Sequence, residues 1–297
     1  MIYNFISHCK WSFILFACSL GSQAIPLASA RAAYTIPPDN QVLTPMSTQF
    51  SEKYLPNKFR FSVWNTQKGQ KKQQWLDDMA VMKAEFPIIL MQEGMQDPQM
   101  QAMAESYSEF GTTLAKSFSY DNGTASGVLT MSKAKPTKES FVRSPDLELI
   151  GTPKMTLFSS FELKSGTQIL FVNLHGINVV SGTSFERQIN AVMAEMASFT
   201  GPIVFAGDFN TWSASRTKFL VEKTTAMGFE HAVFNNDWRL HPEAYQPFHS
   251  DSNYNSKAKT TVLDHIFVKG CKISAAALEA KYEYSDHFAF SADLDCP

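Results

Sequence analysis

The 297-residue chain is short of charge, short of cysteine and empty of the common nucleotide-binding and serine-hydrolase signatures. Charged residues make up 18% and the formal net charge is −2. That excludes the global basic field of a nucleic-acid coat protein, and no acidic tail or basic arm is present. No segment repeats at a fixed period and none is of low complexity, so solenoids and fibres are excluded. Four cysteines occur, Cys9, Cys18, Cys271 and Cys296, without any C-x-x-C pair that would suggest a thiolate metal site. There is no Walker loop and no G-x-G-x-x-G turn to cradle a nucleotide. There is no G-x-S-x-G elbow to present a nucleophilic serine. What the chain does have is 44% apolar residues over a length that supports one sizeable core.

Residues 1–30 read as a signal peptide. Lys10 precedes the apolar run Trp11–Leu20, and Ala28-Ser29-Ala30 supplies small residues before Arg31. A basic start, a short apolar middle and an A-x-A end are the marks of export. The strongly apolar part is about half the roughly 20 residues a bilayer span needs, and Pro26 interrupts the remainder. The mature chain is therefore expected to be periplasmic or secreted, without a membrane span, and monomeric. Residues 31–57, rich in Pro, Ser, Thr and Asn, read as an irregular lead-in, with the folded domain over 58–297.

From Lys58 onward short apolar strands alternate with amphipathic helices. Strands are expected over Phe59–Trp64, Ile88–Met91, Gly127–Met131, Met155–Leu163, Ile169–Leu174, Ile203–Ala206, Val262–Val268 and Phe288–Leu294. Trp75, Met79, Met82 and Phe86 mark one helix, and Ser213–Met227 another, closed by Gly228. A third helix starts at the capping-box pattern Thr183-x-x-Glu186. Its stripe Phe185, Ile189, Val192, Met193, Met196 and Phe199 is core packing. This alternation predicts a single-domain α/β layered sandwich.

Polar residues recur at the ends of these strands. Asn65 and Gln67 come after one, Gln92-Glu93 after another, then His175 and Asp208-Phe-Asn210, while Asp264 and Asp286-His287 precede the last two. A single such residue is usually a cap or a turn. Six segments with the same habit suggest groups that meet on one rim. Carboxylates and amide oxygens without thiolates suit a hard cation such as Mg²⁺, which keeps waters and takes one or two carboxylates. Two histidines, with an aspartate to orient one, supply acid–base groups near neutral pH. Together they describe metal-assisted attack of water on a phosphate ester.

The motifs Val63-Trp-Asn65-Thr-Gln67, Leu90-Met-Gln92-Glu93, Val172-Asn-Leu-His175, Gly207-Asp-Phe-Asn-Thr-Trp212, Leu263-Asp-His-Ile-Phe267 and Ser285-Asp-His287 stand in a telling order. In that order they resemble the endonuclease/exonuclease/phosphatase superfamily, the group of DNase I. The similarity is greatest to secreted bacterial members with an Arg a few residues past the tryptophan, here Arg216. The resemblance implies a four-layer α/β sandwich, with two central mostly antiparallel β-sheets flanked by α-helices. It implies Glu93 as a metal ligand, with Asn65 and Asp286 completing the metal region, and Mg²⁺ as the cofactor, Mn²⁺ substituting. Asp208 would position or activate the attacking water and Asn210 would hold the scissile phosphate. His175 would contact a phosphate oxygen or protonate the leaving group. His287, paired with Asp264, would act as base or phosphate ligand. The expected partner is a phosphoester substrate, DNA first, as for a DNase-like endonuclease. A sphingomyelinase-like or phosphoinositide phosphoesterase is the alternative, and a non-catalytic binding module on the same fold a further one. The family commonly has Pro two residues after the Ser-Asp-His histidine, where this chain has Ala289. That is a backbone feature, and it leaves the chemistry intact.

Other polar residues are set aside as structural. Strand alternation turns His265 away from Asp264's face, to be packed or at the surface. His231, His241 and His249 fall in an irregular stretch. Lys68, Lys71 and Lys72 lie just past Asn65 and fit a solvated helix as well as a phosphate contact, and Trp212 is as suited to packing as to touching substrate. Cys271 and Cys296 each lie at the far end of a strand that leaves the rim, so in an exported chain they are expected to form a disulfide.

Overall fold

The computed structural model describes residues 34–234, 262–282 and 284–297. The expected signal peptide, as well as His241 and His249, lies outside them. Ala32–Pro297 form one compact unit. Two sheets face each other. One has seven strands: β1 (Leu43–Thr48), β2 (Lys58–Asn65), β3 (Ile88–Gln96), β4 (Gly111–Ser119), β5 (Ala125–Ser132), β12 (Lys272–Glu279) and β13 (Ala289–Asp295), ordered β1-β4-β5-β3-β2-β13-β12. The other has six: β6 (Lys138–Arg143), β7 (Met155–Glu162), β8 (Gln168–His175), β9 (Ile203–Asp208), β10 (Glu230–His231) and β11 (Asp264–Lys269), ordered β10-β11-β9-β8-β7-β6. Among the described strands only β2–β3 and β8–β9 pair in parallel. Each parallel pair is joined through a helix, as parallel strands require: α1 (Gln73–Glu85) between β2 and β3, and α3 (Gly182–Met196) between β8 and β9. Helices α2 (Pro98–Ser106) and α4 (Ala214–Ala226) complete the outer layers.

Strand alternation produces these layers directly. On β2, Phe61 and Val63 point into the core between the sheets while Trp64 points outward onto α1 and α2. On β9, Val204 and Ala206 point inward while Ile203 and Phe205 pack under α3 and α4. The central strands are therefore apolar on both faces and read as continuous runs, as strands covered on both sides do. The inter-sheet core holds fully buried Phe61, Phe161 and Phe171, with Phe171 edge-on to the other two at 5.5 and 5.8 Å. Truncating one such side chain typically costs about 3–5 kcal/mol.

Several elements depart from expectation. Residues 43–48, expected to be irregular, form β1, which pairs antiparallel with β4 along the sheet edge. Pro45 sits where its missing N–H is tolerated, at an edge beside a register shift. Helix α2 has no counterpart among the expected helices, although Asp97 caps it by accepting the Met100 N–H at 2.8 Å and Pro98 stands at its first turn. Helix α3 begins earlier than the capping-box pattern suggests. Ser181 is its N-cap, accepting from the Ser184 N–H at 3.2 Å. The disulfide Cys271–Cys296 is formed, with Cα atoms 4.3 Å apart. Strands β11 and β13 belong to different sheets, and the chain crosses between them at Cys271 before β12 pairs with β13.

Candidate active site

The two parallel pairs end at the same rim, and register sets side chains from different strands beside one another. His175 at the end of β8 is level with Asp208 at the end of β9, and Asp208 is level with Asp264 at the start of β11. Asn65 at the end of β2 is level with Gln92 on β3. The strands approach closely here because two positions carry no side chain. A Cβ on Gly207, whose φ is +146°, would lie 1.9 Å from the Leu174 carbonyl oxygen, and one on Gly176 would lie 2.3 Å from that of Phe209.

The Oδ2 of buried Asp208 is the centre of the arrangement. Asn65 Nδ2 donates to it at 3.0 Å, His175 Nε2 lies 3.5 Å away, Asn210 Nδ2 3.5 Å and His287 Nε2 4.0 Å. The other carboxylate oxygen accepts the Asn210 N–H at 2.9 Å. His287 Nδ1 meets Asp264 Oδ2 at 2.8 Å, so the carboxylate orients the ring and leaves Nε2 facing Asp208. Ser285 Oγ donates to the Asn65 carbonyl at 2.5 Å and the indole of Trp64 donates to the His287 carbonyl at 2.9 Å. These tie the segment before β13 to the end of β2.

Burial and charge set the protonation of these groups. Burial raises the Asp208 carboxyl to about 7; the Asp264 charge adds to this and His287 opposes it. Burial by itself would lower His287. The carboxylates of Asp264, Asp208 and Asp286 outweigh it and bring the imidazole up to about 10. His175 goes well below the usual histidine range, through burial and then the positive charge of Lys154. One ring is thus held cationic and the other neutral beside a single carboxyl.

Glu93 lies at a break in the β3–β5 register with φ +56°, and Asn210 has φ +52°. Left-handed backbone at non-glycine residues is stored strain, and it persists only where the surroundings over-determine it. At Asn210 the restraints are visible. Its Nδ2 donates to the Gly176 carbonyl at 2.9 Å, its Oδ1 accepts the Trp212 indole at 2.8 Å, and its carbonyl accepts Arg216 at 2.9 Å. Arg216 also donates to the carbonyls of Ile177 and Val180, with its guanidinium over the Phe185 ring. It clamps two rim loops from beneath. The side chain of Glu93 is partly exposed, with Lys68 Nζ 3.7 Å from Oε2.

The donor set at Glu93, Asp286 and Asn65 fits a hard divalent cation. Asp286 is raised by burial, and the negative charge of Glu93 adds to the rise, an opposition that a cation between them would relieve. Asn65 Oδ1 accepts the Gln67 N–H at 3.1 Å and keeps a second lone pair. Among the described residues no three acidic or imidazole groups converge as a ready-made cage. Mg²⁺ asks for no such cage, because it retains waters.

Some residues beneath the site have roles that the sequence pattern does not assign. Gln92 Nε2 donates to Asn173 Oδ1 at 2.7 Å, and Asn173 Nδ2 donates back to the carbonyls of Met91 and Leu129. This buried link joins the two sheets directly below the rim. Its signal is an amide in each of two apolar strands, positions that burial makes costly unless they are paired. His265 is packed, bonded to Thr211 and His231.

The sequence profile of the Endonuclease/Exonuclease/phosphatase family matches residues 63–287. A UPF0294 protein of Vibrio cholerae is 26% identical over 279 residues, covering 89% of this chain and 92% of that protein. A crystal structure of an endonuclease/exonuclease/phosphatase from Beutenbergia cavernae has a TM-score of 0.63 at 16% identity, covering 80% of this chain and 72% of that one. A 3′ phosphatase from Neisseria bound to product DNA hairpin gives 0.55 at 16% identity, covering 80% of this chain and 99% of that one. The chain belongs to the endonuclease/exonuclease/phosphatase family, and its two-sheet sandwich and family place it among the phosphoric ester hydrolases.

Proposed function

We propose that this chain is an exported, Mg²⁺-dependent phosphodiesterase that hydrolyses DNA in the manner of a DNase-like endonuclease. The observation that carries the reading is the gathering of Asn65, His175, Asn210 and His287 around one oxygen of Asp208, beside the Glu93–Asp286 region. Glu93, Asp286 and Asn65 would hold the ion, which supplies charge neutralisation at a phosphoryl oxygen when bound. Asp208 accepts the proton of the attacking water as the water oxygen bonds to phosphorus and the bond from phosphorus to the leaving oxygen breaks, the leaving oxygen taking a proton from solvent water. Protonated His287, fixed by Asp264, donates to a phosphoryl oxygen through Nε2. Neutral His175 contacts a second phosphoryl oxygen. Asn210 turns the amide hydrogen nearest Asp208 toward the phosphate while its other one stays on Gly176.

Export is supported by the Cys271–Cys296 bridge, which suits an oxidising compartment, and by the signal-like first 30 residues. No described helix is long and apolar enough to cross a membrane. A second reading, a lipid phosphoester hydrolase, is favoured by one observation. Leu149, Ile150 and Val179 are 83, 59 and 70% exposed on loops joined by the Asn178 N–H to Glu148 bond beside the rim. The test is a panel of plasmid DNA, RNA, sphingomyelin and inositol phosphates, with Mg²⁺ and with EDTA. Cleavage of DNA that EDTA abolishes and Mg²⁺ restores is expected, with Glu93→Gln weakening Mg²⁺ binding by calorimetry. Undiminished turnover in EDTA contradicts the metal role, and exclusive hydrolysis of sphingomyelin replaces the first reading with the second.

A further inference from the structure

Behind the rim, on the face of β11 opposite Asp264, a chain of hydrogen bonds runs inward from the surface. His231 Nε2 meets His265 Nδ1 at 3.1 Å, His265 Nε2 meets Thr211 Oγ1 at 2.9 Å, and the Thr211 hydroxyl donates to the Val262 carbonyl. His265 and Thr211 are buried, 3% and 0% exposed, and His231 is exposed. Counting protons fixes the direction. Thr211 has one hydroxyl hydrogen and spends it on Val262, so at Oγ1 it accepts, and His265 Nε2 carries the proton. His265 Nδ1 is then a bare acceptor, and His231 Nε2–H donates to it. Burial keeps the His265 ring neutral, lowering it to about 3 with His231 adding to the effect. Phe267 and Phe209 flank the pair, with His231 stacked 4.4 Å from Phe267 and Phe209 edge-on to His265 at 5.6 Å.

The hydrogen-bonded chain passes through Thr211, the residue after Asn210. We propose that His265, backed by His231, is a positioning residue that holds Thr211 by an Nε2–H bond and so keeps Asn210 in its left-handed conformation at the rim. The same strut fixes the loop after β9 to the start of β11, and hence Asn210 relative to Asp264. The inference rests on the reading of Asn210 as a holder of the scissile phosphate.

Two measurements test it. Nitrogen NMR of the ¹⁵N-histidine-labelled wild-type protein reports the tautomer. A neutral Nε2–H ring at His265 is expected, and a neutral Nδ1–H ring overturns the proposal without reference to activity. The second is a kinetic cycle with Mg²⁺ and bis(4-nitrophenyl) phosphate, using Thr211→Val, Asn210→Ala and the double variant. Misplacement of a reacting group by about 1 Å can cost about 10²-fold, so Thr211→Val should lower kcat by about that factor with little change in KM. Thr211→Ser, which keeps the hydroxyl, should recover most of the rate. In the Asn210→Ala background Thr211→Val should cost nothing further. Additive losses overturn the relay while leaving the site reading intact. An Asn210→Ala variant with the wild-type kcat overturns both.

Discussion

His287 shows how much one contact decides at this site. Burial by itself would leave its ring neutral, yet Asp264 at 2.8 Å, with the charges of Asp208 and Asp286, raises it to about 10. Asp264→Asn keeps the size of the side chain and removes the charge. The variant should fold, and His287 should titrate at lower pH by NMR. Turnover should fall by about 10²–10⁴-fold, the range that a positioned proton donor contributes. An unchanged His287 titration in Asp264→Asn would show that this carboxylate does not govern the ring. At this scale the sequence is informative. Asp264, Asp286 and His287 can be picked out because each stands at the edge of an apolar run, where a polar side chain needs a reason. Thr211 and His265 cannot. Their contact spans 54 positions, and nothing in the pattern of the loop after β9 or of β11 indicates that one donates to the other.

The strands and helices are legible where both faces are buried or a stripe is continuous. Strands β8, β9 and β11 and helix α3 carry strong apolar signals, and all four form, with α3 starting two residues earlier and β11 two residues later than expected. The missed strands lie at the edges of the sheets or, like β4, one strand in from an edge. Strand β1 contains a proline, β4 is rich in Thr and Ser although it is mostly buried, and β6 is nowhere fully buried, so periodicity has little to work on. Helix α2 is only nine residues, with Met100 and Met103 as its anchors. The Cys271–Cys296 bridge ties two elements that periodicity treats separately, the turn after β11 and the end of β13. It closes a 25-residue separation, which should contribute about 3 kcal/mol by restricting the unfolded chain. Cys271→Ser with Cys296→Ser should lower the denaturation midpoint accordingly while leaving kcat unchanged, since both cysteines lie at the pole away from Asp208. Equal midpoints for the bridged and serine proteins would show that the bridge adds no stability.

At the scale of the whole molecule, the arrangement is two sheets whose parallel pairs converge on one rim, so residues from positions 65 to 287 meet at a single carboxyl. The order of the six motifs makes this convergence readable, because five of them mark strand ends that share a rim and the sixth, at Glu93, marks a break within β3 at the same level. The depth of the support is not readable. The Gln92–Asn173 link and the Arg216 clamp hold the two sheets and two loops in place, largely through bonds to backbone carbonyls, and a carbonyl acceptor leaves no trace in the identity of its residue. The central claim is that Asp208 is the group on which the chemistry turns, and it is tested most directly by the rate constant for phosphodiester hydrolysis of Asp208→Asn with saturating Mg²⁺. The substitution preserves volume and keeps one acceptor oxygen, so the bond from the Asn210 backbone N–H is retained while the position facing Asn65 becomes an NH2 group. A folded protein whose kcat falls by at least about 10²-fold is expected. A folded Asp208→Asn protein that turns over at the wild-type rate would contradict the claim.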